Sequence, residues 1–186
     1  MKKQNQDGAL FLGLDLSICR TGYVLINEKG KVVDQALVVS GPPKVKTPRS
    51  ELDRLLTIRN TICQRIPCQT LIVAIEGLAF AAKKTTSLVQ LGALNYFVRE
   101  YLSTHIAYYI VSPLSLKKYA LGIGRGDKED MIRGVEKNFG IKFEDHNLCD
   151  AYILSRIARD LHLNDVSGLP AHKQEVIELI RKQIYD

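Results

Sequence analysis

The sequence predicts one α/β domain, built on a mixed five-stranded sheet that is flanked by helices. Three strand-like segments open the chain with short turns between them, and helical and strand-like segments then alternate. Short turns favour an antiparallel meander, whereas strands that follow helices join a sheet in parallel. The length of 186 residues fits one domain, 1–186, and 46% apolar residues supply its core.

The first three strands are predicted at 9–17, 23–26 and 31–40. Residues 10–16 are apolar apart from one carboxylate, and Gly30 closes a turn before the third strand. Proline, glycine and basic residues then predict a mobile loop that runs through Pro48.

Ser50 is the predicted N-cap of a helix over 51–66, whose leucines and isoleucines recur at helical spacing. The apolar run at 71–75 is typical of a strand covered on both faces. A long helix at 84–103 precedes the last strand, at 106–111. The remaining helices are predicted at 113–120, 127–138, 147–162 and 171–184.

Composition excludes several classes of protein. No apolar run approaches the roughly 20 residues that cross a bilayer, and residues 1–7 are polar, so we expect a cytoplasmic protein without a membrane partner. The four cysteines have no metal-site spacing and are expected to be buried small side chains rather than a disulfide framework. Lysine and arginine number 26 against 20 acidic residues, and the net charge of +6 is compatible with an anionic polymer such as nucleic acid.

Three carboxylates interrupt apolar elements. Asp15 lies inside an otherwise apolar strand, Glu76 ends another, and Asp150 lies near the start of an apolar helix. Each alone is compatible with an edge position, a cap or an ion pair. Because an acid on a core element is costly unless it is paired or bound to a cation, three in equivalent positions indicate one shared site. Carboxylate oxygens suit Mg²⁺. Two such ions about 4 Å apart can stabilise both the attacking water and the leaving oxygen when a phosphodiester is hydrolysed.

Four segments, in order, resemble the sequence motifs of RuvC-type Holliday-junction resolvases, especially the phage-like branch. The resemblance covers 9–162. The segments are GLDLSICRTGY at 13–23, AIEGLAF at 74–80, GIGRGDK at 122–128 and DHNLCDA at 145–151.

The resemblance implies a ribonuclease-H-like fold and a homodimer that cuts two strands of a four-way DNA junction. It assigns Asp15, Glu76 and Asp150 as catalytic ligands of two Mg²⁺ ions, which Mn²⁺ can replace. Asp15 would bridge both ions. It places Lys128 near the scissile phosphate and makes Phe80 an aromatic wedge at the junction centre, where core packing is the alternative role.

The last motif departs from the family pattern. Members usually carry Asp or His three residues before the final acid, where this chain has Asn147. An amide oxygen can bind a cation but cannot act as a base. Helical register favours Asn147 as the fourth ligand and His146 next, while Asp145 reaches the site only if it precedes the helix.

The glycine-rich segment at 122–126 is predicted to let backbone approach DNA phosphate, with Arg125, Lys128 and Lys117 as DNA-binding cations. A flexible surface loop is the alternative. The helix over 84–103 would form the dimer face, although core burial explains its apolar stripe equally well. That stripe comprises Leu88, Leu91, Leu94 and Phe97.

Other functions compete with junction resolution. The first motif also resembles the phosphate loop of actin-like kinases, but these two-lobed proteins are much longer than this chain. A catalytically silent junction-binding relative would be expected to lose its carboxylates, and all three remain. A RuvC-like nuclease acting on other branched DNA or on RNA–DNA hybrids would use the same site.

Overall fold

The computed structural model describes residues 8–78 and 85–184, and these contain the predicted strands and helices. The strands are β1 (Leu10–Asp15), β2 (Arg20–Asn27), β3 (Val32–Val39), β4 (Thr70–Glu76) and β5 (Ala107–Val111). The helices are α1 (Pro48–Cys63), α2 (Thr85–Ser103), α3 (Pro113–Leu121), α4 (Lys128–Phe139), α5 (His146–His162) and α6 (Ala171–Arg181), followed by a 3₁₀ turn at Lys182–Ile184. Within the described ranges, no helix combines the length and apolar character needed to span a bilayer.

The five strands form one mixed sheet in the order β3-β2-β1-β4-β5. β1, β2 and β3 pair antiparallel, as the short turns between them predict. β4 pairs parallel with both β1 and β5. The predicted mixed five-stranded sheet with flanking helices is therefore confirmed, and β1 lies at its centre, where the two kinds of pairing meet.

Helices cover both faces of the sheet. α1 and α2 pack on the face that carries Leu12, Leu14 and Tyr23. On the opposite face, α5 lies directly on the strands, and α3, α4 and α6 pack around it. The expectation of buried cysteines holds for Cys63 and Cys149 but not for Cys19 and Cys68, which are exposed.

The first helix begins earlier than predicted. Thr47, not Ser50, is its N-cap: the Thr47 side chain accepts a hydrogen bond from the Ser50 backbone N–H, and the Ser50 hydroxyl accepts one from the Thr47 backbone N–H. Pro48 is the first helical residue rather than part of a loop, because its fixed φ suits that position and its missing N–H costs nothing there.

α5 touches the sheet at two glycines. A Cβ atom on Gly13 of β1 would lie 1.9 Å from the Ala151 carbonyl oxygen, and a Cβ on Gly22 of β2 would lie 2.1 Å from the Asn147 carbonyl oxygen. Real Cβ atoms do not approach backbone so closely. Any side chain at either position would push the first turns of α5 away from the strand ends.

Gly13→Ala tests this contact. We expect the substitution to lower the free energy of unfolding by about 1–3 kcal/mol, the usual cost of overpacking, because the backbone of α5 cannot move aside as a flexible side chain could. Gly41→Ala is the matched control, since a Cβ there meets nothing within 4 Å. Urea denaturation measures both, and equal stability of the two variants would contradict the contact.

Candidate active site

Two of the predicted site residues end neighbouring strands. Leu14 of β1 pairs with Ile75 of β4, so Asp15 and Glu76 lie side by side at the carboxyl edge of the sheet. Leu14 and Ile75 pack towards α1 and α2. Because side chains alternate along a strand, Asp15 and Glu76 point to the opposite face, where α5 lies.

The third carboxylate comes from α5. Asp150 lies between Asn147 and Ala151, the residues whose carbonyls contact the two sheet glycines, and it interacts electrostatically with both Asp15 and Glu76. The structure thus brings the three acids together from β1, β4 and α5. Asp15 is 8% exposed, so these charges are largely shielded from water.

Burial and mutual repulsion hold protons on these acids. Burial, followed by the charges of Glu76 and Asp150, raises the pKa of Asp15 to about 9. Burial, followed by the charge of Glu76, raises the pKa of Asp150 to about 7. Burial also raises the pKa of Glu76, although its hydrogen bond with Asp15 and the nearby Lys117 oppose the shift. A bound cation would relieve this repulsion.

The donor set fits a hard divalent cation. Oδ1 of Asp150 is buried and has no hydrogen-bond partner in the described part of the chain, which leaves an acceptor free for a ligand. Across residues 8–78 and 85–184, no three Asp, Glu, His or Cys side chains lie close enough together to hold a metal ion between them. An open set of carboxylate oxygens suits Mg²⁺, because this ion keeps several of its waters and needs few protein ligands.

Two lysines approach the carboxylates. Lys128, the first residue of α4, acts electrostatically on Asp15 and Asp150. Lys117 of α3 donates a hydrogen bond to the Gly126 carbonyl at 2.7 Å and acts on Glu76 and Asp150. The sequence predicted Lys117 as a DNA-binding cation on the same basic face as Arg125 and Lys128, and nothing local in the sequence shows that its charge also acts on the carboxylates.

His146 lies beside Lys128. The Lys128 ammonium donates a hydrogen bond to Nε2 of His146 at 2.7 Å. Burial, together with the charge of Lys128, holds the pKa of His146 below its ordinary value. The imidazole therefore stays neutral and acts here as an acceptor.

Asp145 and Asn147 are tied to each other. Asp145 is the N-cap of α5, and its Oδ1 accepts hydrogen bonds from the backbone N–H and the side-chain amide of Asn147 at 2.8 and 3.0 Å. Its Oδ2 pairs with Arg20 at 2.6 Å. Although partial burial opposes it, this hydrogen bonding holds the pKa of Asp145 below its ordinary value. Sequence reasoning missed the Arg20 partner, while an Asp directly before a helix does signal a cap.

The remaining predicted contacts lie around this centre. Arg125 is exposed in the glycine-rich loop between α3 and α4, three residues before Lys128. Lys118 forms an ion pair with Glu175. Phe80, the predicted wedge, lies outside the described residues.

The apolar stripe of α2 divides between two environments. Leu94 is fully buried, and Leu91 and Phe97 pack against the same core. In the described part of this helix, the exposed large apolar side chains are instead Val89 and Tyr96, which lie about two turns apart. The stripe identified from the sequence is thus mainly core.

The raised pKa values predict a protein that loses stability as pH rises when no divalent cation is present. A carboxyl with a higher pKa in the folded than in the unfolded state stabilises the fold fully below its unfolded pKa of about 4. That stability is lost as pH rises through about 7 for Asp150 and about 9 for Asp15.

In EDTA, urea titrations should show the free energy of unfolding falling by more than about 1 kcal/mol between pH 5 and 9. Asp15→Asn should flatten this dependence because it removes one charge from the cluster. A wild-type profile as flat as that of the variant would contradict the coupling.

No profile of a known protein family matches the chain. It is 28% identical over 135 residues to the crossover junction endodeoxyribonuclease RuvC of Caldicellulosiruptor saccharolyticus, covering 70% of this chain and 78% of that protein. It is also 29% identical over 135 residues to the enzyme of the same name from Alkaliphilus oremlandii, covering 68% and 77%.

Solved structures share the fold. Thermus thermophilus RuvC in complex with a Holliday junction substrate superposes with a TM-score of 0.63 at 16% identity, over 79% of this chain and 90% of that one. The yeast mitochondrial Holliday junction resolvase Ydc2 superposes with a TM-score of 0.57 at 12% identity, over 94% and 82%. The chain therefore has the ribonuclease-H-like fold of the RuvC-type resolvases and resembles them in sequence over most of its length.

Proposed function

We propose that this chain is a structure-selective endonuclease that resolves four-way DNA junctions by metal-dependent phosphodiester hydrolysis. One observation carries the proposal: buried Asp15 and half-buried Glu76 and Asp150, from three separate elements, act electrostatically on one another at one sheet edge beside two lysines. The sequence likeness to crossover junction endodeoxyribonucleases supports the reaction class. The fold shared with a RuvC that was solved on a Holliday junction supports the substrate.

Asp15, Glu76 and Asp150 would hold two Mg²⁺ ions, or Mn²⁺ in their place, with the amide oxygen of Asn147 as a fourth ligand. When bound, two such ions stabilise the charge on the attacking and leaving oxygens of an in-line displacement. Asp145 does not compete for the ions, since Arg20 and the first turn of α5 already occupy its oxygens.

The lysines complete the site. Lys128 is an exposed cation at the start of a helix, close enough to the acids to act on the scissile phosphate or its neighbour. Neutral His146 accepts a hydrogen bond from the Lys128 ammonium and so orients it. Lys117 holds the glycine-rich loop through Gly126 while its charge acts on Glu76 and Asp150.

DNA binding would come from the basic surface around this edge. Arg125, Lys128 and Lys117 lie on or beside the glycine-rich loop, and the net charge of +6 favours a polyanion. Phe80 follows Glu76 by four residues, where an aromatic side chain can stack on a base at the junction.

The active species would be a homodimer in the cytoplasm. Each subunit would consist of a single nuclease domain, 1–186. Two cuts across a two-fold junction need two sites related by closed symmetry. The exposed Val89 and Tyr96 on α2 offer an apolar contact between copies.

Asp15→Asn tests the reaction. Cleavage of a four-way junction should require Mg²⁺ or Mn²⁺ and should be lost in the variant, while junction affinity stays near wild type because the basic loops hold the DNA. Asp53→Asn, which changes an exposed acid on α1, is the matched control. Near wild-type cutting by Asp15→Asn would refute the metal site, and preferential cutting of a flap, hybrid or duplex would identify a different substrate.

Lys128→Ala and Arg125→Ala separate chemistry from binding. Each should lower junction affinity and reduce the salt slope by roughly one unit. Lys128→Ala should also lower the single-turnover rate at saturating protein, on the order of 10²-fold, because it removes a preorganised donor at the phosphate. Arg125→Ala should cut normally at saturation. Equal saturating rates for Lys128→Ala and wild type would make Lys128 a binding contact alone.

Tyr96→Glu tests the dimer. Light scattering should show a symmetric dimer for the wild type and a monomer for the variant, because a charge at an apolar interface loses its hydration without gaining a partner. Leu179→Glu, at an exposed apolar position on α6, should stay dimeric. A wild type that is monomeric with and without DNA would count decisively against this assembly.

A further inference from the structure

Three basic side chains gather where α5, α6 and the turn between β2 and β3 meet. Arg156 and Arg159 lie on α5, and Lys173 lies on α6. A Cβ atom on Gly30, in the turn, would lie 2.6 Å from Nη1 of Arg156 and 3.2 Å from Nη1 of Arg159. This turn joins β2 and β3 at the end of the sheet opposite the carboxyl end of β1. The basic group is therefore separate from the candidate active site.

The acid within this group already has its partners. Asp160 is 1% exposed, and its Oδ2 accepts a hydrogen bond from the Tyr119 hydroxyl at 2.5 Å. Its Oδ1 accepts two more from Arg159, at 2.8 and 2.6 Å. Arg156 and Lys173 form no ion pair with any acid in the described part of the chain. Two positive charges are thus left without a counter-ion.

Both unpaired cations lie against the ring of Phe139 and retain free donors. Cζ of Arg156 lies 4.8 Å from the ring centroid, and Nζ of Lys173 lies 4.3 Å from it. Arg156 donates one hydrogen bond to the Tyr152 hydroxyl at 3.1 Å, but its Nε is buried and has no partner among the described residues. The Lys173 ammonium likewise donates no hydrogen bond within residues 8–78 and 85–184. Contact with a ring attracts a cation but accepts none of these N–H groups, and unmet buried donors are costly.

The two cations also repel each other. Burial, followed by the charge of Arg156, lowers the pKa of Lys173 below its ordinary value, and Asp160 only partly opposes the shift. Arg156, Lys173 and Phe139 are half-buried, so a small solute can reach them. An anion bound there would relieve the repulsion and accept the free N–H groups at the same time.

We propose that Arg156 and Lys173 bind a phosphate group that carries two negative charges, either inorganic phosphate or a phosphate monoester. Two uncompensated cations match such a dianion. A carboxylate, or a phosphodiester of a DNA backbone, carries only one charge. The planar guanidinium of Arg156 pairs with two phosphate oxygens, and the Lys173 ammonium adds a compact point charge. The inference does not depend on the proposed nuclease function.

The proposed site connects two helices. Lys173 belongs to α6, which lies beyond the region 9–162 that resembles the resolvase family, so the resemblance does not imply this site. A phosphate held by Arg156 and Lys173 would fasten α6 to α5. A ligand that binds the folded state and not the unfolded state stabilises the fold, so phosphate should raise the stability of the protein.

The experiment follows the melting temperature of the full chain in EDTA while sodium phosphate replaces sodium chloride at constant ionic strength and about pH 7.5. The wild type should show a saturable rise of about 2–4 °C. Lys173→Met should show no rise, because it keeps the apolar stem beside Phe139 and removes the charge. Arg133→Gln, which removes an exposed arginine of α4, is the matched control and should keep the rise. Lys128→Ala should also keep it, which excludes binding at the candidate active site.

A second measurement does not require Lys173→Met to fold. In phosphorus NMR spectra of the wild type, the signal of inorganic phosphate should broaden. Sulfate, also a dianion, should reverse the broadening, and acetate at the same ionic strength should not. Arg156→Gln should abolish it. Adenosine monophosphate distinguishes the two sources of the ligand: equal competition indicates that the site takes an isolated phosphate, and tighter competition indicates a monoester.

Several results would overturn the site. These are an unchanged melting temperature of the wild type in phosphate, an equal rise in acetate, and a rise that persists in both Lys173→Met and Arg156→Gln. Lower junction affinity of Lys173→Met, with a salt slope reduced by about one unit, would identify a DNA backbone contact and overturn the dianion site. Because this group is remote from Asp15, Lys173→Met should cut junctions at the wild-type rate.

Discussion

The position of the candidate active site depends on the contact between α5 and the strands beneath it. Gly13 and Gly22 leave no side chain between the sheet and the α5 backbone, so the carbonyls of Ala151 and Asn147 rest on β1 and β2. Asp150 lies between these two contacts. Because neither glycine has a side chain, α5 packs close to the sheet, and this close packing brings the Asp150 carboxylate to the strand ends.

The electrostatics of the site follow from that contact. Three acids in a shielded place repel one another, and Asp15 and Asp150 respond by holding protons at pH values where carboxyls are normally ionised. Lys128 and Lys117 offset part of this charge. Asp145, five residues before Asp150, forms an ion pair with Arg20 instead. Asp15, Glu76 and Asp150 thus repel one another in one place, whereas Asp145 has a different role as the N-cap of α5.

Local sequence signals predicted much of this arrangement. The apolar segments that carry Asp15 and Glu76 predicted two strands and one shared acidic site at their carboxyl ends, because such patterns are properties of short segments. The parallel pairing of β1 with β4 joins distant segments, and only the structure shows it. Thr47 and Ser50 are both hydroxyl residues that can cap a helix, and only the geometry of the turn selects Thr47. The inward turn of Lys117 depends on the packing of α3 against distant elements, which no local pattern records.

The central place of β1 also has a consequence for how the protein is made. The pairings of β1 with β2 and of β2 with β3 join segments that are close in sequence, whereas the pairing of β1 with β4 and its cover by α5 join distant parts of the chain. Such long-range contacts form slowly, and a chain emerges from the ribosome N-terminus first. A nascent chain displays Asp15 and Glu76 before Asp150 has been synthesised, so it carries an incomplete ligand set. Nuclease competence would then arise only after α5 has been synthesised and Asp150 has docked beside the strand ends.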